Sequence, residues 1–231
     1  MFKNRHDAGC RLAEYLQVYR GPDTIVLAIP RGGVVVGYEV AVNLDAPLDV
    51  IVPRKIGAPI QPELAIGAIA GDDILVLDEV SIRQLGVSRE RLEEEIREQR
   101  QEMLRRERVY RGDRPPLDLE GKTVILVDDG VATGSTTMAA ARALRMRRPG
   151  KLILAVPVAP PDIARRLERE VDELVVLETP EPFYAVGVWY AEFGQTSDEE
   201  VLDLLERAAD RIGYPPEGKT KDEGGEPEVP H

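Results

Sequence analysis

The stretch Val124-Ile125-Leu126-Val127-Asp128-Asp129-Gly130-Val131-Ala132-Thr133-Gly134-Ser135-Thr136-Thr137 joins an apolar run, an acid pair and a small-residue loop. Residues 123–127 are uncharged and rich in β-branched side chains, as in a strand buried on both faces of a parallel sheet. The strong helix formers of residues 139–144 follow, so a helix begins near Thr136. The turn between them holds Thr133, Gly134, Ser135, Thr136 and Thr137. Its N–H groups point along the start of a helix and its hydroxyls can donate. That is an anion cradle suited to a phosphate monoester. Asp128 and Asp129 stand at the C-terminal edge of the strand, where open α/β sheets bind ligands. Two carboxylates repel a phosphate unless something lies between them. A ribose fits, its two hydroxyls donating to the acids while its 5′-phosphate reaches the loop. A plain strand–turn–helix with acids at the strand end is the alternative. A Walker loop is excluded, because no Gly-Lys-Ser/Thr follows the glycine.

This run resembles the phosphoribosyl-pyrophosphate (PRPP) loop of the type I phosphoribosyltransferases. It has four apolar residues from Val124 to Val127, the acids Asp128 and Asp129, and the Thr-Gly-x-Thr loop Thr133-Gly134-Ser135-Thr136. Two further segments resemble loops of the same family. A buried-strand run at 24–29 leads into Pro30-Arg31-Gly32-Gly33 and an apolar helix at 34–44. Adjacent glycines let a backbone come close to a ligand and expose consecutive N–H groups, and a guanidinium suits phosphate. This segment resembles the family's pyrophosphate loop, which implies a cis peptide at Pro30–Arg31. A third strand at 48–52 leads into Pro53-Arg54-Lys55-Ile56-Gly57-Ala58-Pro59. Two cations entering a Gly/Pro-rich segment resemble the start of the mobile catalytic loop, most like that of the adenine-specific enzymes. A solvated basic turn is the plain alternative.

The 231 residues suit one domain with additions, and 43% hydrophobic content supplies a sizeable core. No apolar run reaches membrane-spanning length, and the N-terminal residues lack a secretory apolar region. The single cysteine, Cys10, rules out an internal disulfide framework and a Cys-based metal site, and it is read as a partly buried helix residue. A cytoplasmic location is the expectation. The formal charge of −12 argues against a nucleic-acid-binding surface. An acidic chain that binds PRPP must concentrate its positive charge at the site, with Mg²⁺. Dense charges with Arg in excess over Lys are compatible with a thermophile.

Residues 6–20 read as an amphipathic helix with Leu12, Tyr15, Leu16 and Tyr19 on one face and His6 at its start in a surface role. Residues 65–70 and 74–77 read as a β-hairpin around Gly71-Asp72-Asp73. Residues 88–112 hold eight Arg and seven Glu, with Ser88 as N-cap, acid-first i,i+4 pairs, and a narrow stripe of Leu92, Ile96, Met103 and Tyr110. They read as a long solvated helix lying on the domain, with a homodimer contact or a lid as the sharper alternatives. Strand–helix–strand runs at 151–156, 161–169 and 173–177 complete a parallel, doubly wound sheet. Residues 179–190 hold four of the eleven aromatics. A flat heterocycle needs such a surface, and the segment resembles the purine-type region in which Phe183 or Tyr184 would stack on the base. Packing within the protein is the alternative. An amphipathic helix at 197–212 turns Val201, Leu204, Leu205 and Ala208 inward, and residues 214–231 read as a tail. The expected division is one domain over 1–213, with a helical insertion at about 81–112 and a small hood built from the N-terminal helix and about 179–212.

The resemblance spans roughly residues 24–190. It implies transfer of the phosphoribosyl group of PRPP to a nucleobase or related amine, with release of pyrophosphate. Ala132, Thr133, Gly134, Ser135, Thr136 and Thr137 would hold the 5′-phosphate, and Asp128 and Asp129 the ribose. Pro30, Arg31, Gly32 and Gly33, with Arg54, Lys55 and a Mg²⁺ carried mainly by PRPP, would hold the pyrophosphate. Hypoxanthine-guanine enzymes place an aspartate where this chain has Ala132. That leaves no assigned general base, and Glu63, Asp78 and Glu192 stay open. A PRPP- or nucleotide-binding regulator on the same fold is the second reading. A hydrolase of phosphorylated sugars is a third, weakened by the lack of a nucleophile motif.

Overall fold

The computed structural model describes residues 1–59, 61–71, 74–112 and 114–212, without the side chains of 62, 63 and 212. The expected tail at 214–231, the Asp72-Asp73 turn and the Glu63 side chain lie outside the described residues.

Five parallel strands form the central sheet: β1 (Thr24–Ala28), β2 (Leu48–Val50), β6 (Thr123–Val127), β7 (Lys151–Val158) and β8 (Glu173–Glu178), in the order β2-β1-β6-β7-β8. Successive residues of a strand point to opposite faces, and here both faces are apolar. Val26, Ile125, Val127 and Ile153 enter a core with helices α1 (Arg5–Leu16), α2 (Gly32–Leu44) and α7 (Asp198–Ile212). Leu27, Val124, Leu126 and Leu154 enter a second core with α5 (Ser135–Met146) and α6 (Pro161–Leu167). This is the doubly wound sheet implied by uninterrupted apolar strands. From β1 the chain runs outward to β2, then returns to β6 on the other side of β1. The crevice between β1 and β6 is therefore the switch point where such sheets take ligands.

A separate antiparallel sheet, β3 (Arg54–Ala58), β4 (Gln61–Ala70) and β5 (Ile74–Leu77), is covered by α3 (Glu79–Gln84) and α4 (Arg89–Arg111). The β4–β5 pair is the expected hairpin. The segment read as the opening of a mobile loop is instead strand β3, its Arg54 opposite Ile69 and its Lys55 opposite Ala68. The difference has a simple cause: the glycine and prolines around 53–59 mask a short β-compatible core in which Ile56 is fully buried.

Smaller corrections fall at the surface. The first helix ends at Leu16 and continues as a 3₁₀ turn, Gln17–Tyr19. Tyr15 leaves the apolar face and is exposed, while Leu12 and Leu16 are buried. Cys10 is exposed. His6 pairs with Glu39 at 2.9 Å. In α4 the expected stripe holds, with Met103 and Tyr110 buried and Leu92 and Ile96 packed on the small sheet. Arg111 donates to both carboxylate oxygens of Asp49, at 3.1 and 3.3 Å, and to the Val50 carbonyl at 2.9 Å, tying α4 to β2. Among the described residues no helix is long and apolar enough to cross a membrane.

Candidate active site

The acids end β6. Asp128 Oδ1 accepts from the Asp129 amide at 2.8 Å. Beside them Ile29 N donates to Val127 O at 2.9 Å, which brings the end of β1 and the Pro30–Arg31 turn against the acid pair. The Pro30–Arg31 peptide is cis. Helix α2 then begins at Gly32 without a side-chain cap, so its first N–H groups have no partner within the helix. The two glycines are needed for close approach. A methyl group on Gly32 would lie 1.9 Å from Asp129 Oδ2 and 2.7 Å from Arg5 Nε. One on Gly33 would lie 3.0 Å from the Asp128 Cα.

The loop after the acids is fixed at both ends. Val131 N donates to Val158 O at 2.9 Å, and Met138 N to Gly134 O at 2.8 Å. Gly134 has φ of 77° and opens α5, again with no side-chain cap. That left-handed turn is why glycine stands there. Ala132, Thr133 and Thr136 are exposed, Ser135 is half-buried, and Thr137 is buried as the first anchor of the helix. The result is an uncapped helix start facing solvent at the edge of the crevice, the geometry that favours an anion.

Across the crevice, a cavity of about 390 Å³ is lined by Pro30, Arg54, Lys55, Glu95, Gln99 and Thr136, among others. It connects the 132–137 loop with both basic residues of β3. Arg54 is held by Gln99 Oε1, to Nε at 3.0 Å and Nη2 at 2.8 Å, and Gln99 donates in turn to Glu95 at 2.9 Å. Burial and then the neighbouring Arg106 guanidinium lower the Arg54 pKa. Helix α4 is thus a wall of this cavity, a role its charge pattern did not disclose.

Above the acids lies a cluster that sequence reasoning missed. Arg5 Nε donates to Asp129 Oδ2 at 2.7 Å, its Nη1 donates to Gly194 O at 2.7 Å, and its guanidinium lies 3.9 Å from the centre of the Phe193 ring. Tyr190 donates its hydroxyl to the Asp129 carbonyl and packs between Phe2 and Phe193, at ring separations of 5.4 and 5.0 Å. Of the expected stacking residues, Phe183 is half-buried against the cluster of Phe2, Val158 and Tyr190, and Tyr184 is exposed. Burial, then the Asp129 carboxylate, push Asp128 well above the usual carboxylate range. Burial also raises Asp129, against the downward pull of Arg5. Asp78 caps α3 through Val80 N and Ser81 N, both at 3.1 Å, and Glu192 is exposed. Among the described residues, no group of three or more His, Cys, Asp and Glu side chains is placed to hold a metal.

A parallel sheet with an acid pair, an uncapped helix start and a Gly-Gly turn at its switch point defines an α/β protein with its candidate site in that crevice. The chain belongs to the phosphoribosyl transferase domain family, whose pattern matches residues 11–188. It is 41% identical to the TT1426 protein of Thermus thermophilus, whose crystal structure superposes with a TM-score of 0.81 over 89% of this chain and 98% of that one. It is also 45% identical over 208 residues to a Mycobacterium tuberculosis protein provisionally named a phosphoribosyl transferase. That match covers 90% of this chain and 47% of the relative, so the chain spans about half the length of this curated relative. A ribose-phosphate pyrophosphokinase of Methanopyrus kandleri is 41% identical over 76 residues, 31% of this chain and 26% of that protein.

Proposed function

We propose that the chain transfers the 5-phosphoribosyl group of PRPP to a nucleobase or related amine and releases pyrophosphate. One observation carries this reading: the Asp128–Asp129 pair packs directly on Gly32 and Gly33, so a ribose on the acids has the helix start of 132–137 on one side and a second set of free amides on the other. Family membership supports the donor half.

In this reading the backbone of Ala132 to Thr136, with the hydroxyls of Thr133, Ser135 and Thr136, binds the 5′-phosphate, and Thr137 anchors the loop. Asp128 and Asp129 accept hydrogen bonds from the ribose hydroxyls. They also lie near the positive charge that develops as the anomeric C–O bond to pyrophosphate breaks and a bond to the acceptor nitrogen forms. The Gly32 and Gly33 amides, Arg54 and Lys55 take up the charge of the departing pyrophosphate, with Arg31 at the edge of the turn. Each charge-assisted hydrogen bond contributes about 1.5–3 kcal/mol. Mg²⁺ fits this donor set, since it binds through phosphate oxygens, water and one or two carboxylates rather than a protein cage. When bound it would neutralise part of the pyrophosphate charge. The aromatic hood around Phe183, Tyr184, Tyr190 and Phe193 is where a flat acceptor would lie. We place the activity in a single domain over residues 1–213, working in the cytoplasm.

The test is a pyrophosphate-release screen with PRPP, Mg²⁺ and a panel of nucleobases and amines. Release above PRPP hydrolysis with one acceptor class supports the transferase. PRPP binding without turnover on any acceptor transfers the support to a regulator on the same fold.

A further inference from the structure

At the Pro30–Arg31 turn lies a second chamber of about 370 Å³ lined by Pro30, Arg31, Arg105, Arg106, Val109, Tyr110 and Asp198. It shares Pro30, Arg106 and Tyr110 with the cavity of Arg54 and Lys55, so the two adjoin. Arg31 lines this chamber, although its position in the turn suggested the pyrophosphate.

Helix α4 presents the cations by its register. Arg105, Arg106, Val109 and Tyr110 of α4 line the chamber, with Tyr110 buried and Met103 packed into the core one turn or more before it. Glu102 accepts from Arg105 Nε at 2.7 Å, Arg105 Nη2 at 3.0 Å and Arg106 Nε at 2.7 Å. One carboxylate thus holds two guanidiniums in place and leaves Arg105 Nη1 and the Arg106 Nη groups for a ligand. Tyr110 donates to Asp198 at 2.6 Å, and Asp198 lies 3.9 Å from Arg31. Three guanidiniums stand against two carboxylates, Asp198 in the lining and Glu102 paired with Arg105 and Arg106, which leaves an excess positive charge in a chain of net charge −12, where local positive potential has to be built deliberately. At about 30 Å³ per water, the chamber holds about a dozen water volumes, enough for a short chain of phosphoryl groups.

We infer that this chamber is a second anion site, supplied by α4, which binds the polyphosphate chain of a ligand other than PRPP. That PRPP fills the neighbouring cavity rests on the function proposed above; the anion site itself does not.

The experiment is calorimetric titration of tripolyphosphate into the full chain, alone and with saturating PRPP and Mg²⁺, for the wild type and Arg105→Ala. The Arg105 side chain is 63% exposed, so its loss leaves the fold intact. The wild type is expected to bind tripolyphosphate in both conditions. Arg105→Ala should weaken that binding about tenfold, the loss of one charge-assisted hydrogen bond, with PRPP affinity changed less than about twofold. Competition between tripolyphosphate and PRPP, or equal affinity in the variant, overturns the inference. Arg105-dependent tripolyphosphate binding with no PRPP binding would uphold the site and sink the transferase reading. ATP as a further probe separates the sources: tighter binding than tripolyphosphate marks a nucleotide, and equal binding an inorganic chain.

Discussion

Arg5 and Asp129, 124 positions apart in the chain, meet with Nε 2.7 Å from Oδ2, and each side chain is less than one-fifth exposed. The contact ties the first helix to the end of β6 and sets the height of the hood above the acid pair. Removing one partner of a shielded ion pair strands the other. Arg5→Ala should therefore cost about 3 kcal/mol of stability, read as a lower urea midpoint with unchanged slope. A loss below about 0.5 kcal/mol would show that solvent already screens the pair.

The acids themselves oppose folding. Asp128 has its pKa raised by burial and then by Asp129. A carboxyl whose folded pKa exceeds its unfolded value makes the folded state bind more protons, so stability falls as pH rises through the window between the two. Asp128→Asn keeps a side-chain oxygen for the Asp129 amide and removes the charge. We expect a higher melting temperature at about pH 7, a gain that shrinks as pH falls and vanishes near the unfolded value of about 4, together with weaker PRPP binding. A variant that melts lower than the wild type at neutral pH would contradict this.

Gly32→Ala places a methyl group 1.9 Å from Asp129 Oδ2. Either the carboxylate or the turn must move, and both belong to the proposed site. PRPP affinity should fall at least about tenfold, about 1.4 kcal/mol, and the Arg5–Asp129 pair should break. A crystal structure of the variant with that pair intact would refute the account.

Gln99→Ala releases Arg54 from two hydrogen bonds. Gln99 touches no reacting atom in the proposed mechanism, so it is a positioning residue. Turnover should drop about tenfold, with the KM for PRPP changed much less and the melting temperature nearly unchanged. Equal loss in kcat and stability would make the role structural.

The sheet was legible because its strands are apolar on both faces, even though a second sheet and two helices intervene between β2 and β6. The acid pair and the loop after it were legible because the fold needs those residue types in consecutive positions. Arg54 and Lys55 were recognised as a pair, but not their place on a strand, since the hydrogen bonds of β3 come from β4 and leave no local periodicity. Arg5, Tyr190 and Phe193 were not recognised as one cluster. Arg5 lies 124 positions from Asp129 and carries no motif, and Phe193 falls beyond the aromatic stretch at 179–190. The register of α4 gave its buried stripe, while its contribution to the cavities depends on where β3 holds it.

The central claim, that the crevice between β1 and β6 binds PRPP through the acid pair, is tested most directly by calorimetry of PRPP with Mg²⁺ against the wild type and Asp129→Asn. The account predicts one PRPP per chain with a Kd below about 1 mM, and a loss of at least about tenfold in the variant. No binding by the wild type at millimolar PRPP, or the same affinity in both proteins, would contradict it.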